Sequence, residues 1–477
     1  MLSGLVLVPL IVAALAALVP SNRWRPWLLP AGAVLHLAVA GACLQYPRIS
    51  EWDGWLVLDP LGKVFLLLIS VLYTVCMFYA PAYLRLRSDR ANRAMCSCLM
   101  LGLAMMTLVI VSHHLGLMWV AMEATTLASA PALYFNRSPL ALEATWKYLV
   151  ICSVGIALAL LGSFFLAYAS LYARQQSSLL FDDLIREAPR LSGAWLHAAF
   201  ILLFIGYGTK MGLAPMHTWK PDAYGESPGL VGALLAGGLT NCAFLAVLRF
   251  YQIGQAAGDT AFMREILIFM GLLSMAVAAV FMVRQRDFKR LLAYSSVEHM
   301  GILTLALGIG GAGIFAMLLH VLNNGLTKGV LFLSAGNIHR AYASKLTNDV
   351  SGALRRVPVS GALFLAGFLA MTGSPPFGPF ISEFSILNAA IGSGQYVTGA
   401  LYVALLAVAF LAMGPTVLAV AFGKPSAAAA AMPFREGFWI AAPILALMAM
   451  VVLLGLFIPS QLSGLLHDAA AFLEPGR

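Results

Sequence analysis

The sequence predicts an all-α, polytopic membrane protein with about 14 transmembrane helices, and three observations support this fold class. Hydrophobic residues make up 61% of the 477 residues and charged residues only 10%, against about 45–50% and about 25% in an ordinary soluble domain. Apolar runs of membrane-spanning length follow one another along the chain. The net charge of +9 comes from Lys and Arg in the short gaps between the runs. This distribution excludes a soluble enzyme and a nucleic-acid-binding surface.

The predicted helices are apolar runs separated by short polar gaps. The seventh run contains Pro215 and the twelfth contains the Gly- and Pro-rich segment 373–379. Proline removes a backbone N–H and clashes with the preceding turn, so helices 7 and 12 are predicted to be broken. The runs cover residues 2–20, 27–46, 60–84, 94–112, 115–135, 146–171, 195–218, 230–251, 262–283, 290–309, 312–336, 358–390, 397–422 and 437–458.

The two broken helices lie five helices apart, which is typical of inverted repeats in transporters. We expect a single transmembrane domain over residues 1–477, with approximate repeats at 94–251 and 262–422. The flanking helices would then occupy residues 2–84 and 437–458.

Lys and Arg are distributed unequally between the two sets of alternate loops. The set that begins after the first helix, with Lys220 among its members, carries roughly three times as many of these residues as the opposite set, which includes Arg174 and Arg477. Positive residues are enriched in cytoplasmic loops. The bias predicts a multi-pass protein of the bacterial or archaeal cytoplasmic (inner) membrane with its N-terminus outside.

The gaps are too short to contain a soluble domain. The longest gap, residues 173–194, has room for one short surface helix. Nucleotide, flavin or iron–sulfur chemistry therefore has no place in this chain, and the cysteines and methionines do not show the spacing of a metal site. We expect no cofactor and no metal ion.

Four charged residues lie well inside apolar runs, namely Glu123, Lys210, Lys328 and Glu383. A charged residue at the centre of a membrane helix costs about 2.5–3.5 kcal/mol, so four cost roughly 10–14 kcal/mol before any pairing. The whole net stability of a typical protein is about 5–15 kcal/mol. These side chains are therefore expected to be paired, to face the bundle interior or water, and to take part in function.

Glu123 and Lys210 are candidates for proton transfer, and each has a structural alternative. Glu123 begins a polar patch with Thr125 and Thr126, where a carboxyl group can also lock two helices together as a static ion pair. Lys210 lies one turn before Pro215, where water and carbonyls freed by the break can solvate an ammonium. The alternative for Lys210 is a structural lysine that caps the broken helix end.

A second row of polar residues lies in the C-terminal half. His320, Asn324 and Lys328 recur at intervals of four residues, so they share one helical face. Such a row can organise water into a file that conducts protons. It can equally hold helices together through interhelical hydrogen bonds.

Several other ionisable residues lie in or near the ends of apolar runs. His217, Glu298 and His299 belong to this group, and Glu383 follows the second helix break by one turn. Glu143 and Lys147 lie four residues apart at a helix start, so we interpret them as a surface ion pair.

Five segments resemble the antiporter-like, proton-pumping membrane subunits of respiratory complex I, cation/proton antiporter complexes and group 4 membrane-bound hydrogenases. They occur in the same order as in that family, and together the resemblance covers nearly the whole chain. Residues 123–149 are most similar to the hydrogenase-4 component F branch. The five segments are residues 118–126, 210–222, 287–301, 320–336 and 373–383.

The resemblance implies two inverted five-helix repeats, at helices 4–8 and 9–13, and proton transfer along a central polar axis. It implies that Glu123 is the family's helix-5 glutamate and Lys210 its helix-7 lysine. His320 and Lys328 match the histidine and lysine that some members carry in helix 11. Glu383 matches the exit residue of helix 12.

One position departs from the family's pattern. Many members carry a lysine in the eighth helix, where this chain has Asn241. Asparagine cannot relay a charge by titrating. The link between the two halves must then run through water, His217 or another residue, or it is interrupted and the subunit does not pump.

The sequence thus predicts a proton-translocating, non-redox membrane subunit of an oxidoreductase complex. In this hypothesis a neighbouring subunit separates Glu123 from Lys210, and a proton moves towards His320, Lys328 and Glu383, with His217 and His299 as further transfer residues. The alternatives are a sodium or potassium/proton exchange subunit and a non-pumping structural anchor. Expected partners are other integral membrane subunits, a peripheral redox (hydrogenase-like) arm and membrane lipids, but no nucleic acid.

Overall fold

The computed structural model describes residues 1–172, 178–427, 429 and 432–474, which form a bundle of helices. Arg174 and Arg477 lie outside the described residues. The N-terminal half contains α1 (Leu2–Leu18), α2 (Leu28–Leu44), β1 (Ile49–Glu51), β2 (Leu56–Leu58), α3 (Pro60–Arg85), α4 (Arg93–Val111), α5 (Leu115–Leu133), α6 (Pro139–Tyr172), α7 (Phe181–Glu187), α8 (Gly193–Met211), α9 (Trp219–Glu226), α10 (Gly229–Leu234) and α11 (Thr240–Ala256).

The C-terminal half contains a further set of helices. They are α12 (Thr260–Met282), α13 (Phe288–Ile309), α14 (Ala312–Tyr342), α15 (Ala353–Arg356), α16 (Pro358–Met371), α17 (Gly378–Gly392), α18 (Tyr396–Ala421), α19 (Phe438–Leu456) and α20 (Ser460–Leu473). A π-helical segment, Leu235–Leu239, joins α10 to α11.

The predicted all-α, polytopic architecture is confirmed. Within the described ranges, eleven helices are long and apolar enough to cross a membrane, with α10 and α11 counted as one span. The shorter apolar helix α1, helix α5 and the pair α16–α17 account for the other three predicted spans. Each of the predicted runs therefore corresponds to a helix or to a broken pair of helices.

Both predicted helix breaks are present. Helix α8 ends at Met211, where Gly212 adopts a left-handed conformation with φ of 73°, a backbone region that glycine enters without steric cost. The chain becomes helical again at Trp219 in α9. Likewise α16 ends at Met371 and α17 begins at Gly378. Each break thus places a second, short helical segment inside the bundle.

The assignment of Lys220 to a cytoplasmic loop is wrong. The sequence predicts a seventh run that continues to residue 218, which leaves Lys220 beyond its end. Because the chain breaks at Gly212 and re-forms as α9, Lys220 lies in a helix and is fully buried. The surface pair of Glu143 and Lys147 is confirmed, with 2.7 Å between the charged groups.

Three features of the loops and termini extend the sequence prediction. The expected surface helix in the longest gap is α7. The antiparallel hairpin β1–β2 and the C-terminal helix α20 were not predicted. Helix α20 is too short to span a bilayer, and it buries only one face, through Leu466, Ala469 and Leu473, so its apolar residues do not form a continuous run.

The centre of the bundle consists of three helical spans that other helices surround. They are the α10–α11 span, α13 and α14, whose residues are almost all buried. Helix α18, by contrast, is mostly exposed, as expected for a helix that contacts lipid or another subunit. The buried ionisable side chains of the C-terminal half are therefore carried by the innermost helices.

A buried ion pair fixes the start of α3 against α11. Asp59 caps α3 by accepting a hydrogen bond of 2.7 Å from Gly62 N. Its carboxylate also accepts two hydrogen bonds from the Arg249 guanidinium, and the one from Nη2 is 3.0 Å long. Asp59 is fully buried and Arg249 is 2% exposed. Removing one partner of such a pair leaves an uncompensated buried charge.

The substitution Asp59→Asn keeps the helix cap but removes the counter-ion of Arg249. We expect it to lower the free energy of unfolding by about 3–5 kcal/mol, measured by titrating the purified protein with a denaturing detergent. The control is Arg48→Gln, in a pair with Asp182 whose side chains are both 45% exposed; it should cost less than about 1 kcal/mol. Equal losses in the two variants would contradict the assignment.

Candidate functional site

A first polar cluster joins α5, α6 and α8 inside the N-terminal half. Lys210 Nζ donates hydrogen bonds to Thr126 Oγ1 at 2.6 Å and to Tyr148 Oη at 3.1 Å. Thr126 Oγ1 in turn donates to Glu123 Oε2 at 3.3 Å. Ser153 Oγ donates to the other carboxylate oxygen of Glu123 at 2.6 Å. We call these five residues the N-terminal cluster.

Glu123 and Lys210 do not form a direct ion pair, contrary to the expectation that the central charges are paired. The Thr126 hydroxyl lies between them, donating to the carboxylate and accepting from the ammonium. A hydroxyl can perform both roles because it carries one donor and two acceptor positions. The two charged groups are therefore coupled through a group that can itself pass a proton.

Close packing of α6 against α8 positions Lys210. A Cβ added to Gly206 would lie 2.6 Å from the Gly155 carbonyl oxygen, so the two helices touch through their backbones. The ammonium of Lys210 lies 4.8 Å from the centre of the Tyr148 ring, within the range of a cation–π interaction. Both of its hydrogen bonds reach side chains of other helices and not backbone carbonyls. Its contacts do not match the alternative of a lysine that caps its own broken helix.

A second polar cluster joins α13, α14 and α17 in the C-terminal half. Lys328 Nζ donates to Ser295 Oγ at 2.6 Å. His320 Nε2 and His299 Nδ1 are 2.9 Å apart, and His320 Nδ1 lies 2.9 Å from Ser382 Oγ. All five side chains are buried. We call them, together with Glu298 and Glu383, the C-terminal cluster.

The predicted row of His320, Asn324 and Lys328 lies in the bundle interior. All three are fully buried, and His320 and Lys328 bond to neighbouring helices. The amide group of Asn324 makes no hydrogen bond with the described residues. Buried amide groups are usually satisfied by protein or by ordered water, so this position is suited to water.

Glu383 lies at the second helix break. It is 5% exposed, and its Oε1 has no hydrogen-bond partner among the described residues. Its Oε2 lies against Gly373, where an added Cβ would be 2.2 Å away. Glu298, 4% exposed, is close enough to interact electrostatically with both Lys328 and Glu383. A buried carboxylate thus stands between the lysine and the proposed exit residue.

Among the described residues, one group of three side chains could hold a metal ion. The ligand atoms of His299, His320 and Glu383 all lie within 4.8 Å of one another. Imidazole and carboxylate ligands suit several divalent transition metals. In this structure the two imidazoles share a hydrogen bond with each other, and His299 Nε2 lies 3.1 Å from the Met371 carbonyl oxygen.

Neither His217 nor Asn241 connects the two clusters. The ring of His217 packs 6.1 Å from Phe281 and 6.2 Å from Tyr294, and its Nδ1 has no partner among the described residues. Phe281 is 51% exposed, so His217 lies towards the periphery of the bundle. Asn241 Nδ2 donates to the Gly237 carbonyl oxygen of its own helix at 2.9 Å.

Several members of the two clusters were missed from the sequence. Tyr148, Ser153 and Ser295 are neutral, so a search for charges in apolar runs passes over them. Lys220 was missed because the continuation of the broken helix resembles a loop in the sequence. Its Nζ donates to Ser296 Oγ at 3.1 Å. The consecutive serines at 295 and 296, within an apolar run, were the available signal.

Comparison with known proteins places these clusters in a family. Residues 112–410 match the family described as NADH:quinone oxidoreductase/Mrp antiporter, transmembrane. The hydrogenase-4 component F homolog of Methylacidiphilum infernorum is 34% identical over 438 residues, which cover 89% of this chain and 90% of that protein. The family resemblance of the five segments is therefore confirmed.

Two solved structures have the same fold. A chain of the Mrp complex from Dietzia sp. DQ12-45-1b superposes with a TM-score of 0.87 at 21% identity, covering 99% of this chain and 98% of that one. A chain of respiratory complex I from Thermus thermophilus superposes with a TM-score of 0.78 at 25% identity, covering 96% and 97%. The protein is thus a multi-pass integral membrane protein, and it belongs to the NADH:quinone oxidoreductase/Mrp antiporter transmembrane family.

Proposed function

We propose that this chain translocates protons as an antiporter-like membrane subunit of a multi-subunit, redox-driven complex. The observation that carries the proposal is the pair of buried clusters beside the two helix breaks. In each, a lysine with no exposed surface is bonded to hydroxyl groups instead of a carboxylate. Ionisable residues within membrane segments mark ion routes and proton relays.

The composition of the clusters favours protons over sodium or potassium. Hard cations are bound by several convergent carboxylate, carbonyl or water oxygens. Here Lys210 and Lys328 place ammonium groups inside the clusters, and these repel a bare cation. A lysine can instead carry the transported charge itself, by holding and releasing a proton.

A change at Glu123 would start the transfer. While Thr126 links Glu123 to Lys210, the carboxylate stabilises the ammonium. Separation of the two groups removes that stabilisation and favours release of the proton from Lys210. Moving one charge against 100 mV costs about 2.3 kcal/mol, which is of the order of a single charge-assisted hydrogen bond, about 1.5–3 kcal/mol.

The proposed surroundings of the chain follow from its relatives and its surface. We place it in the cytoplasmic (inner) membrane with the N-terminus outside, because positive residues favour the opposite set of loops. Its partners are other integral membrane subunits and a peripheral redox arm, as expected for a relative of a hydrogenase-4 component. Residues 94–251 and 262–422 are proposed to be its two inverted repeats, each with one broken helix.

Replacing Glu123 with Gln should abolish proton translocation, because the neutral amide no longer stabilises or releases the Lys210 ammonium. The measurement is acidification of inverted membrane vesicles that contain the assembled complex and are energised by H2 or NADH, with electron transfer recorded in the same sample. The control is Glu143→Gln, which removes an exposed carboxylate of the surface pair with Lys147 and should leave pumping unchanged. Normal pumping by Glu123→Gln would refute the proposal.

Translocation should not depend on sodium. In vesicles prepared without sodium or potassium salts, we expect the same rate of acidification per electron transferred as in vesicles that contain them, and complete collapse on addition of a protonophore. Acidification that requires sodium, or that a protonophore stimulates, would instead indicate cation/proton exchange. Electron transfer without acidification in the unmodified complex would indicate a structural anchor.

A further inference from the structure

The two clusters need a titratable link, and Lys220 occupies the space between them. Lys220 begins the second half of the broken seventh helix and is fully buried. Its aliphatic stem lies back across the break, so that a Cβ added to Gly212 would be 2.4 Å from its Cδ. This position brings the ammonium inside the bundle, although the neighbouring Asp222 forms ion pairs with the side chains of Lys147 and Arg290.

On one side, Lys220 is tied to the C-terminal cluster through consecutive serines of α13. Lys220 Nζ donates to Ser296 Oγ at 3.1 Å, and Lys328 Nζ donates to Ser295 Oγ at 2.6 Å. The two lysines are close enough to interact electrostatically. Two ammonium groups from different helices are thus held by adjacent residues of a third helix.

On the other side, aromatic residues connect Lys220 to the N-terminal cluster. The Tyr148 ring, whose hydroxyl accepts from Lys210, lies 5.1 Å from the ring of Trp219. Trp219 immediately precedes Lys220, and Cys152 is close to both Lys210 and Lys220. Lys220 therefore contacts surroundings shared with each cluster, whereas Asn241 bonds to its own helix.

We propose that Lys220 is the proton relay between the N-terminal and C-terminal clusters, and that it supplies the titratable group that Asn241 cannot provide. This inference rests on the proposed proton translocation. An N–H bond of the Lys210 ammonium breaks and one forms on a neutral Lys220 amine. Lys220 then gives a proton to the neutral amine of Lys328 through the hydroxyls of Ser296 and Ser295, and no electrons are transferred.

The repulsion between neighbouring charges gives the relay a direction. Two ammonium groups in one buried site destabilise each other, so arrival of a proton at Lys220 favours its departure from Lys328. Glu298, which interacts with Lys328 and Glu383, is the nearest described acceptor for that proton. The same contacts also allow a purely structural role, in which Lys220 ties α9 to α13.

Three substitutions separate the relay from the structural role. Lys220→Arg keeps a positive charge and hydrogen-bond donors, but a guanidinium does not release its proton. Lys220→Met removes both. Lys220→His shortens the side chain but restores a group that titrates. A relay requires pumping to be retained by His and lost in Arg and Met, whereas a structural tie predicts that Arg performs best.

The measurement is vesicle acidification per electron transferred in the complete complex, as for Glu123→Gln. We expect Lys220→Arg and Lys220→Met to lower it by roughly 100-fold or more, the scale of a positioned proton-transfer group, while Lys220→His keeps measurable pumping. The matched control is Lys63→Met, a buried lysine of α3 that donates to the Tyr46 carbonyl oxygen and lies in neither cluster. Its pumping should be unchanged.

The outcomes distinguish this inference from the proposed function. If Glu123→Gln abolishes pumping and Lys220→Arg does not, the relay is overturned while the proposed function stands. If Glu123→Gln pumps normally, the proposed function itself fails. Should Lys220→Arg not assemble, Ser296→Ala tests the same step with the lysine in place. A severalfold slower rate would support the relay, and an unchanged rate would overturn it.

Discussion

The structure depends on how three ammonium groups are accommodated among apolar helices. An ion buried without partners costs several kcal/mol even after relaxation, and a fully formed ion pair would hold its proton in place. Lys210, Lys220 and Lys328 instead donate to the hydroxyls of threonine, tyrosine and serine. Hydroxyls satisfy the donors at modest cost and can also carry protons. The side chains remain stable in the bundle without being fixed in one charge state.

This solution requires the helix breaks. A continuous seventh helix would place Lys220 beyond its end, in the position of a loop residue. The left-handed turn at Gly212 and the renewed helix at Trp219 bring Lys220 back beside Gly212 itself. The second break similarly places Glu383 against Gly373. Each break thus exchanges a turn of regular hydrogen bonding for a buried ionisable side chain near the other cluster.

The departure at Asn241 has a different meaning once Lys220 is included. Considered alone, an amide at the eighth-helix position suggests an interrupted route. Lys220 lies only ten residues after Lys210 in the chain, yet its ammonium reaches Ser296, next to the serine that binds Lys328. A titratable group can therefore be supplied from the broken helix instead of from the eighth helix.

The sequence by itself determined the class of the protein, its helices and its breaks. Membrane helices are read from continuous apolar runs, and proline and glycine mark interruptions, because both signals are local. The charges at Glu123, Lys210, Lys328 and Glu383 were found for the same reason. Only the tertiary structure decided what these charges touch. The Thr126 bridge, the placement of His217 towards the periphery, and the burial of Lys220 all depend on side chains far apart in the chain, which local patterns do not report.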